Sequence, residues 1–256
     1  MVWWQALIFG IVEGLTEFLP VSSTGHLILT AHLLGLEQTE FMKSFEIAIQ
    51  LGAILAVVLV YWRSFLVRIE ILKRVIAAFI PTALIGFVFY GVIKKSLMPN
   101  ESLVLLSLFL GGILLILFDR WHRVKTGSLD DLDKIPLSKC FYVGTIQSLA
   151  VIPGVSRAAA TILGGLTLGF TRRSIVEFSF LLAVPTILAA TVLDLAKNGA
   201  AFADADWPIL FLGGAVSFGV ALLSVRFFIR HAQNHGFMAF GIYRIGLAVI
   251  FWIFVK

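Results

Sequence analysis

Six long apolar runs dictate what this chain can become. Residues 45–62, 75–93, 103–118, 175–195, 209–227 and 237–255 are built from Leu, Ile, Val, Phe, Ala and Gly, with at most two charged residues in any one of them. A helix of about 20 such residues crosses the hydrocarbon layer of a bilayer, and it satisfies its own backbone while doing so. Only 14% of the residues are charged and the mean hydropathy is +0.99, whereas a soluble domain carries about 25% charge. The expectation is an all-α polytopic membrane protein with six transmembrane helices. No polar block is long enough for an added soluble domain. The net charge of +5 is modest and reads as topology information rather than a nucleic-acid surface. The single Cys140 excludes an intrachain disulfide and has no metal-binding company. The start of the chain lacks a basic region, and Glu13 and Glu17 break its apolar run, which argues against a cleaved signal peptide.

Four segments are apolar but too short to cross. Residues 2–18 and 22–34 are separated by Leu19-Pro20-Val21, and 141–152 and 156–168 by Pro153-Gly154-Val155. Such pairs suit re-entrant helix hairpins, which are tolerated where protein or a cavity surrounds them. The two halves correspond at an offset of about 133 residues. Phe9-Gly10 and Val12-Glu13 face Val143-Gly144 and Ile146-Gln147, Ser22 faces Ser156, Ile54-Leu55-Ala56 faces Ile187-Leu188-Ala189, and Gly86 faces Gly219. Each half holds one hairpin and three crossings. Three is odd, so the second half is expected to be inverted relative to the first. The expected organisation is a first repeat over 1–118, a cytoplasmic linker over 119–139 and a second repeat over 140–256.

Charge orients this arrangement. With the 63–74 loop in the cytoplasm, the 119–139, 171–173 and 226–235 loops share its side, and together they hold thirteen Lys and Arg. The other side holds five: Lys43, Lys94, Lys95, Lys197 and Lys256. The asymmetry places both termini outside and opens the first hairpin outward.

The polar residues gather at the two breaks. Glu13, Glu17, Ser22, Ser23, Thr24, Gly25 and His26 lie at the first, and Gln147, Ser156, Arg157 and Thr161 at the second. Glu13 and Glu17 share a helix face. Two helix N-termini would aim free N–H groups at one place, a natural anion site, and Arg157 adds a planar cation suited to phosphate oxygens. Carboxylates beside an anion site make sense with a divalent cation between them, and oxygen ligands favour Mg²⁺ or Ca²⁺. A serine hydroxyl or His26 could attack phosphorus, with His26 or a glutamate carrying the proton. The plainer alternative is that Glu13 and Glu17 neutralise Arg157 and Arg244 and that the serines are helix caps. Glu46 and Gln50 could reach the same cavity, Tyr243-Arg244 reads as a buried anchor, and Glu177 and Asp194 read as structural. Ionisable groups at membrane depth are costly enough that the cluster as a whole points to function. Two classes fit: an enzyme of phosphoryl transfer, or a lipid transporter or flippase built on the inverted repeat.

The run Glu13-Gly14-Leu15-Thr16-Glu17-Phe18-Leu19-Pro20-Val21-Ser22-Ser23-Thr24-Gly25-His26 resembles the signature of the undecaprenyl-diphosphate phosphatase, or bacitracin-resistance, membrane family. Pro153-Gly154-Val155-Ser156-Arg157 is similar to its second motif, and the stretches 177–185 and 242–244 also look familial. The resemblance implies a multi-pass enzyme of the bacterial plasma (inner) membrane, acting at the outer, periplasmic face. It would remove the terminal phosphate of a prenyl diphosphate lipid with a divalent cation, among membrane lipids and as a possible homodimer. By motif position, Glu13 and Glu17 take metal and acid/base roles. Ser22, Ser23 and Thr24 contact phosphate, with one serine a nucleophile candidate. His26 is a second nucleophile or a proton carrier, and Arg157 clamps the diphosphate. Gly25, Gln147, Ser156 and Thr161 would complete the substrate site. The family usually has Ser then Gly after Ser-Arg; Ala158 and Ala159 stand there in this chain.

Overall fold

The structure, a computed structural model, describes residues 1–121, 129–199, 202, 203 and 206–254. The middle of the expected linker, 122–128, and Lys256 from the charge count lie outside the described residues. The described chain is helical: α1 (Trp3–Thr16), α2 (Ser23–Leu33), α3 (Glu40–Ala48), α4 (Gln50–Val60), α5 (Trp62–Leu66), α6 (Ile69–Val92), α7 (Glu101–Trp121), α8 (Leu137–Gln147), α9 (Arg157–Thr167), α10 (Arg172–Asn198), α11 (Asp206–Asn234) and α12 (Met238–Phe254). Five stretches are long and apolar enough to cross a membrane, namely Glu40–Val60, Ile69–Leu97, Glu101–Trp121, Arg172–Asn198 and Asp206–Ala232. The last expected run is the shorter α12, 17 residues long. Helix α7 continues to Trp121 and α8 starts at Leu137, so both ends of the polar stretch 119–139 are helical.

The surface explains the composition. Leu84, Phe87, Val88, Leu114, Phe211, Leu223 and Ile253 are all more than half exposed. Apolar surface on that scale is stable only against lipid or another apolar phase. The chain is a multi-pass membrane protein. Inside, Phe18, Phe178, Phe180, Phe228 and Phe237 are buried together with Ile162, Ile175 and Val225.

The short helices come in the expected pairs. Helix α1 stops at Thr16 with Glu17 as its C-cap, and α2 starts after Ser22. Helix α8 stops at Gln147, a 3₁₀ turn follows over Ser148–Val151, and α9 starts after Ser156. Neither pair packs only on its own half. Helix α1 runs along α11, α8 runs along α6, and α12 lies on α7. Glycine permits these approaches. A Cβ on Gly144 would collide with the Ala78 carbonyl of α6, and one on Gly10 would sit 2.5 Å from the Gly213 carbonyl of α11.

One charge sits where loop chemistry did not place it. Lys94 falls in a π-helical turn, Ile93–Leu97, that continues α6, and it is buried. Its Nζ donates to Asp194 Oδ1 at 2.6 Å and to Ser44 Oγ at 2.8 Å, while the Tyr90 hydroxyl donates to the same Asp194 oxygen at 2.6 Å. A π turn shifts the helix register by a residue, and here it accompanies an inward Lys94 while neighbouring Lys95 stays exposed.

Gly144→Ala is expected to destabilise the fold by about 1–3 kcal/mol, because backbone on both sides must move. Gly86→Ala meets nothing within 4 Å and should be neutral or slightly stabilising, alanine being the better helix former. Thermal unfolding of the two variants in detergent, side by side, checks the pair.

Candidate active site

Both breaks have the same local construction. Ser22 caps α2 at φ 72° with its Oγ accepting from Gly25 N at 3.3 Å, and Ser156 caps α9 at φ 75° with its Oγ accepting from Ala159 N at 3.2 Å. These are the only non-glycine residues at positive φ among those described. Each costs of order 1–3 kcal/mol in backbone strain, so the surroundings must hold it in place.

Arg244 of α12 does much of that holding. It is fully buried, and its guanidinium has five N–H donors. All five are spent on backbone carbonyls. Nη1 donates to Pro20 and Val155, both at 3.2 Å; Nη2 donates to Gly154 at 2.7 Å and Ser107 at 3.0 Å; Nε donates to Leu108 at 3.3 Å. One side chain thus ties the first tip, the second tip and α7 together. A Cβ on Gly111 would run into Nη2, so glycine leaves the space that the cation fills. The anchor reading of Arg244 describes this arrangement; pairing it with a carboxylate does not.

The reactive groups lie beside this knot. Glu17 Oε1 accepts from Arg157 Nη2 at 2.8 Å, and its Oε2 accepts a short hydrogen bond from the Ser23 hydroxyl. Arg157 is steadied from its other edge: Nη1 donates to Ser179 O at 2.8 Å and Ser179 Oγ at 3.2 Å, and the guanidinium lies 5.8 Å from the centre of the Phe18 ring. The two halves of the chain therefore meet at an ion pair with a serine hydroxyl attached. Glu13, one turn back, is fully buried, and neither carboxylate oxygen has a hydrogen-bond partner. Glu17, Arg157 and Glu46 all lie within its electrostatic reach. Glu46 is buried too; Gln38 Nε2 donates to its Oε1 at 2.9 Å and its Oε2 is bare.

His26 is held at both nitrogens. Nδ1 lies 2.8 Å from the Ser22 carbonyl oxygen and Nε2 lies 2.8 Å from the Tyr243 hydroxyl. Gly25 is buried against Val104 and Leu108, and Thr24 is half-buried at the start of α2. Gln147 and Thr161 form a packing knot of their own. Thr161 Oγ1 donates to Gln147 Oε1 at 3.0 Å, and Gln147 Nε2 donates to Thr82 at 3.0 Å and Thr186 at 3.3 Å. Gln147 is fully buried with its donors committed to α6 and α10, so its visible work is to hold the second hairpin. Ala158 and Ala159 are buried as well, and the Ala159 N–H is the one that caps onto Ser156. Three contributors escaped the sequence: Ser179, Phe18 and the Tyr243 hydroxyl. Ser179 carried a signal, because the 133-residue offset pairs it with Glu46.

Comparison with known proteins gives one answer. Residues 6–250 match the family model described as bacitracin resistance protein BacA. The chain is 51% identical over 254 residues to an undecaprenyl-diphosphatase of Aquifex aeolicus, covering 99% of each chain. It is 48% identical to one of Sulfurihydrogenibium, covering 97% of this chain and 98% of the other, and 45% identical to one of Thermus thermophilus, covering 98% and 97%.

Arg244→Lys should be strongly destabilising, by about 3 kcal/mol or more. Lysine has three donors for five carbonyls and leaves buried acceptors unpaired. A lower unfolding temperature, together with faster proteolysis at 18–22 and 152–156, is the expected result.

Proposed function

The chain belongs to the family of bacitracin resistance protein BacA, and on that premise we propose that it hydrolyses undecaprenyl diphosphate. The products are undecaprenyl phosphate and inorganic phosphate, which returns the lipid carrier to cell-wall synthesis. Relatives 43–51% identical over nearly their whole length bear the name undecaprenyl-diphosphatase, and the observation that carries the chemistry is Ser23 bonded to Glu17 beside Arg157.

The arrangement supports Ser23 as the nucleophile. A carboxylate that accepts the hydroxyl proton raises the nucleophilicity of the oxygen. Ser23 Oγ attacks the terminal phosphorus as its proton passes to Glu17, and the bond from phosphorus to the bridging oxygen breaks to release undecaprenyl phosphate. A water then attacks the phosphoserine. Glu17 returns the earlier proton to Ser23 as it takes the one from water, and that proton leaves with inorganic phosphate, restoring the carboxylate. Arg157 supplies fixed positive charge to the phosphoryl oxygens, and Ser179 keeps it aimed. His26 is a poorer nucleophile in this arrangement, since both of its nitrogens are engaged.

A hard divalent cation belongs to the same reading, with Glu13 and Glu17 as its protein donors, since no group of three or more His, Cys, Asp or Glu gathers among the described residues. Glu13 offers two buried oxygens with no protein partner, the donor type that Mg²⁺ and Ca²⁺ take. Glu13 would hold it with Glu17 alongside, and the bound cation would neutralise diphosphate charge. Ser22 and Ser156 cap the two helix starts, and Thr24 and Gly25 follow in the first turn of α2, where this reading puts the phosphates.

The same reading includes six crossings in an inverted repeat, with the site open to the periplasmic face and both termini outside. Three observations support it: the matched strain at Ser22 and Ser156, the glycine contacts at Gly10 and Gly144, and the crossed packing of α1 on α11 and α8 on α6. Burial of Lys94 and Lys43 removes two charges from the outer count, which sharpens the asymmetry.

Purified protein with Mg²⁺ or Ca²⁺ should release phosphate from a long-chain prenyl diphosphate. Ser23→Ala and Arg157→Ala should each lower kcat by about a hundredfold or more, and chelation should abolish turnover until the cation is restored. A wild-type protein that releases no phosphate would remove this reading. For topology, cysteines replacing exposed Ser96 and Lys134 in a Cys140→Ala background should react with impermeant reagent from opposite faces; labelling from one face defeats the inverted arrangement.

A further inference from the structure

The geometry points to Tyr243 as a positioning residue for the hydrolysis, acting through His26 on the backbone that presents Ser23. Its kinetic consequence rests on the phosphatase reading; its proton arrangement does not.

The direction of each hydrogen bond follows from what the partners can do. The Ser22 carbonyl oxygen can only accept, so His26 Nδ1, 2.8 Å away, carries a hydrogen. In a neutral ring, Nε2 then has a lone pair. The Tyr243 hydroxyl lies 2.8 Å from it and therefore donates. The two rings are parallel within 7°, with centroids 5.6 Å apart, so the phenol fixes the plane of the imidazole as well as its tautomer. The order runs from the Tyr243 hydroxyl to Nε2 and from Nδ1 to the Ser22 carbonyl. That carbonyl also takes the first helical hydrogen bond of α2, from His26 N at 3.1 Å.

The Ser22 carbonyl and the Ser23 nitrogen belong to one peptide plane. Ser22 sits at φ 72°, a conformation that relaxes unless it is held. A rotation of this plane would swing the Ser23 hydroxyl away from Glu17. Tyr243 is about half exposed, at 47%, and its hydroxyl is spent on the imidazole. The neighbouring Arg244 grips Pro20 O on the other flank of the same turn. Two consecutive residues of α12 thus hold the tip from both sides: Arg244 by direct contact, Tyr243 through His26.

Tyr243→Phe keeps the stacked ring and removes only the hydroxyl. In full-length protein with ¹⁵N-labelled histidine, His26 is assigned among the five histidines by comparison with His26→Asn. The wild type should show a protonated Nδ1 and an unprotonated, hydrogen-bonded Nε2. In Tyr243→Phe the Nε2 signal should move toward that of a free ring nitrogen, with unfolding temperature unchanged. In the prenyl diphosphate assay, Tyr243→Phe should lower kcat about fivefold to tenfold with KM unchanged, the loss of one hydrogen bond acting in the transition state. Asparagine at 26 can donate to the Ser22 carbonyl but offers nothing to Tyr243, so Tyr243→Phe should add no further loss in that background. A wild-type ring protonated on Nε2, an Nε2 signal indifferent to the substitution, a change confined to KM, or losses that add across the two backgrounds would each overturn the assignment. If the wild type proves inactive, the nitrogen signals still decide it, because they need no turnover.

Discussion

The two helix breaks hang on a single buried cation that pairs with carbonyls rather than with a carboxylate. Arg244 is buried among carbonyl dipoles, and its full set of five donors closes on three segments. In a low-dielectric interior each carbonyl left open would cost about 1–3 kcal/mol, and helix breaks leave several open at once. A planar guanidinium answers that need better than any neutral side chain, because its fork reaches two tips and a helix wall in one plane. The breaks at Pro20 and Gly154 can then be permanent, and the strained serines beyond them have something to lean on.

With the scaffold fixed in this way, the remaining charges divide by what they still offer. Lys94 and Asp194 meet at 2.6 Å and are reinforced by Tyr90 and Ser44, so they tie α6 to α10. Arg157 and Glu17 also pair, but Glu17 keeps a second oxygen for the Ser23 hydroxyl. Glu13 has no donor of its own and faces the Glu17 carboxylate. Buried polar groups that lack partners are where chemistry or ligands are expected, and Glu13 brings two such oxygens to the end of α1.

Much of this could be read from the amino acids. Pro20 and Pro153-Gly154 announce the breaks, the spacing of Glu13 and Glu17 gives their common face, and the 133-residue offset pairs Ser22 with Ser156. Side-chain partners across the chain could not be read. Gln147 looked like a substrate contact because it is polar and faces Glu13 in the repeat, yet Thr82 and Thr186, from other helices, take its amide. Lys94 looked like a loop charge because a π turn leaves no mark in hydropathy. Tyr243 looked like part of an anchor, and only the distance to His26 shows where its proton goes. In each case the deciding contact came from more than 35 residues away.

The hydrogen bond from Arg244 to Pro20 joins residues 224 apart. Synthesis runs from the amino terminus, so the first hairpin is made long before its clamp. Until α12 leaves the ribosome, the Pro20 and Gly154 carbonyls lack this donor and the two tips have no common fastening. The common fastening of the two tips therefore waits until α12 has been made. A chain interrupted upstream of α12 lacks the Arg244 donors, so its Pro20 and Gly154 carbonyls have no shared partner.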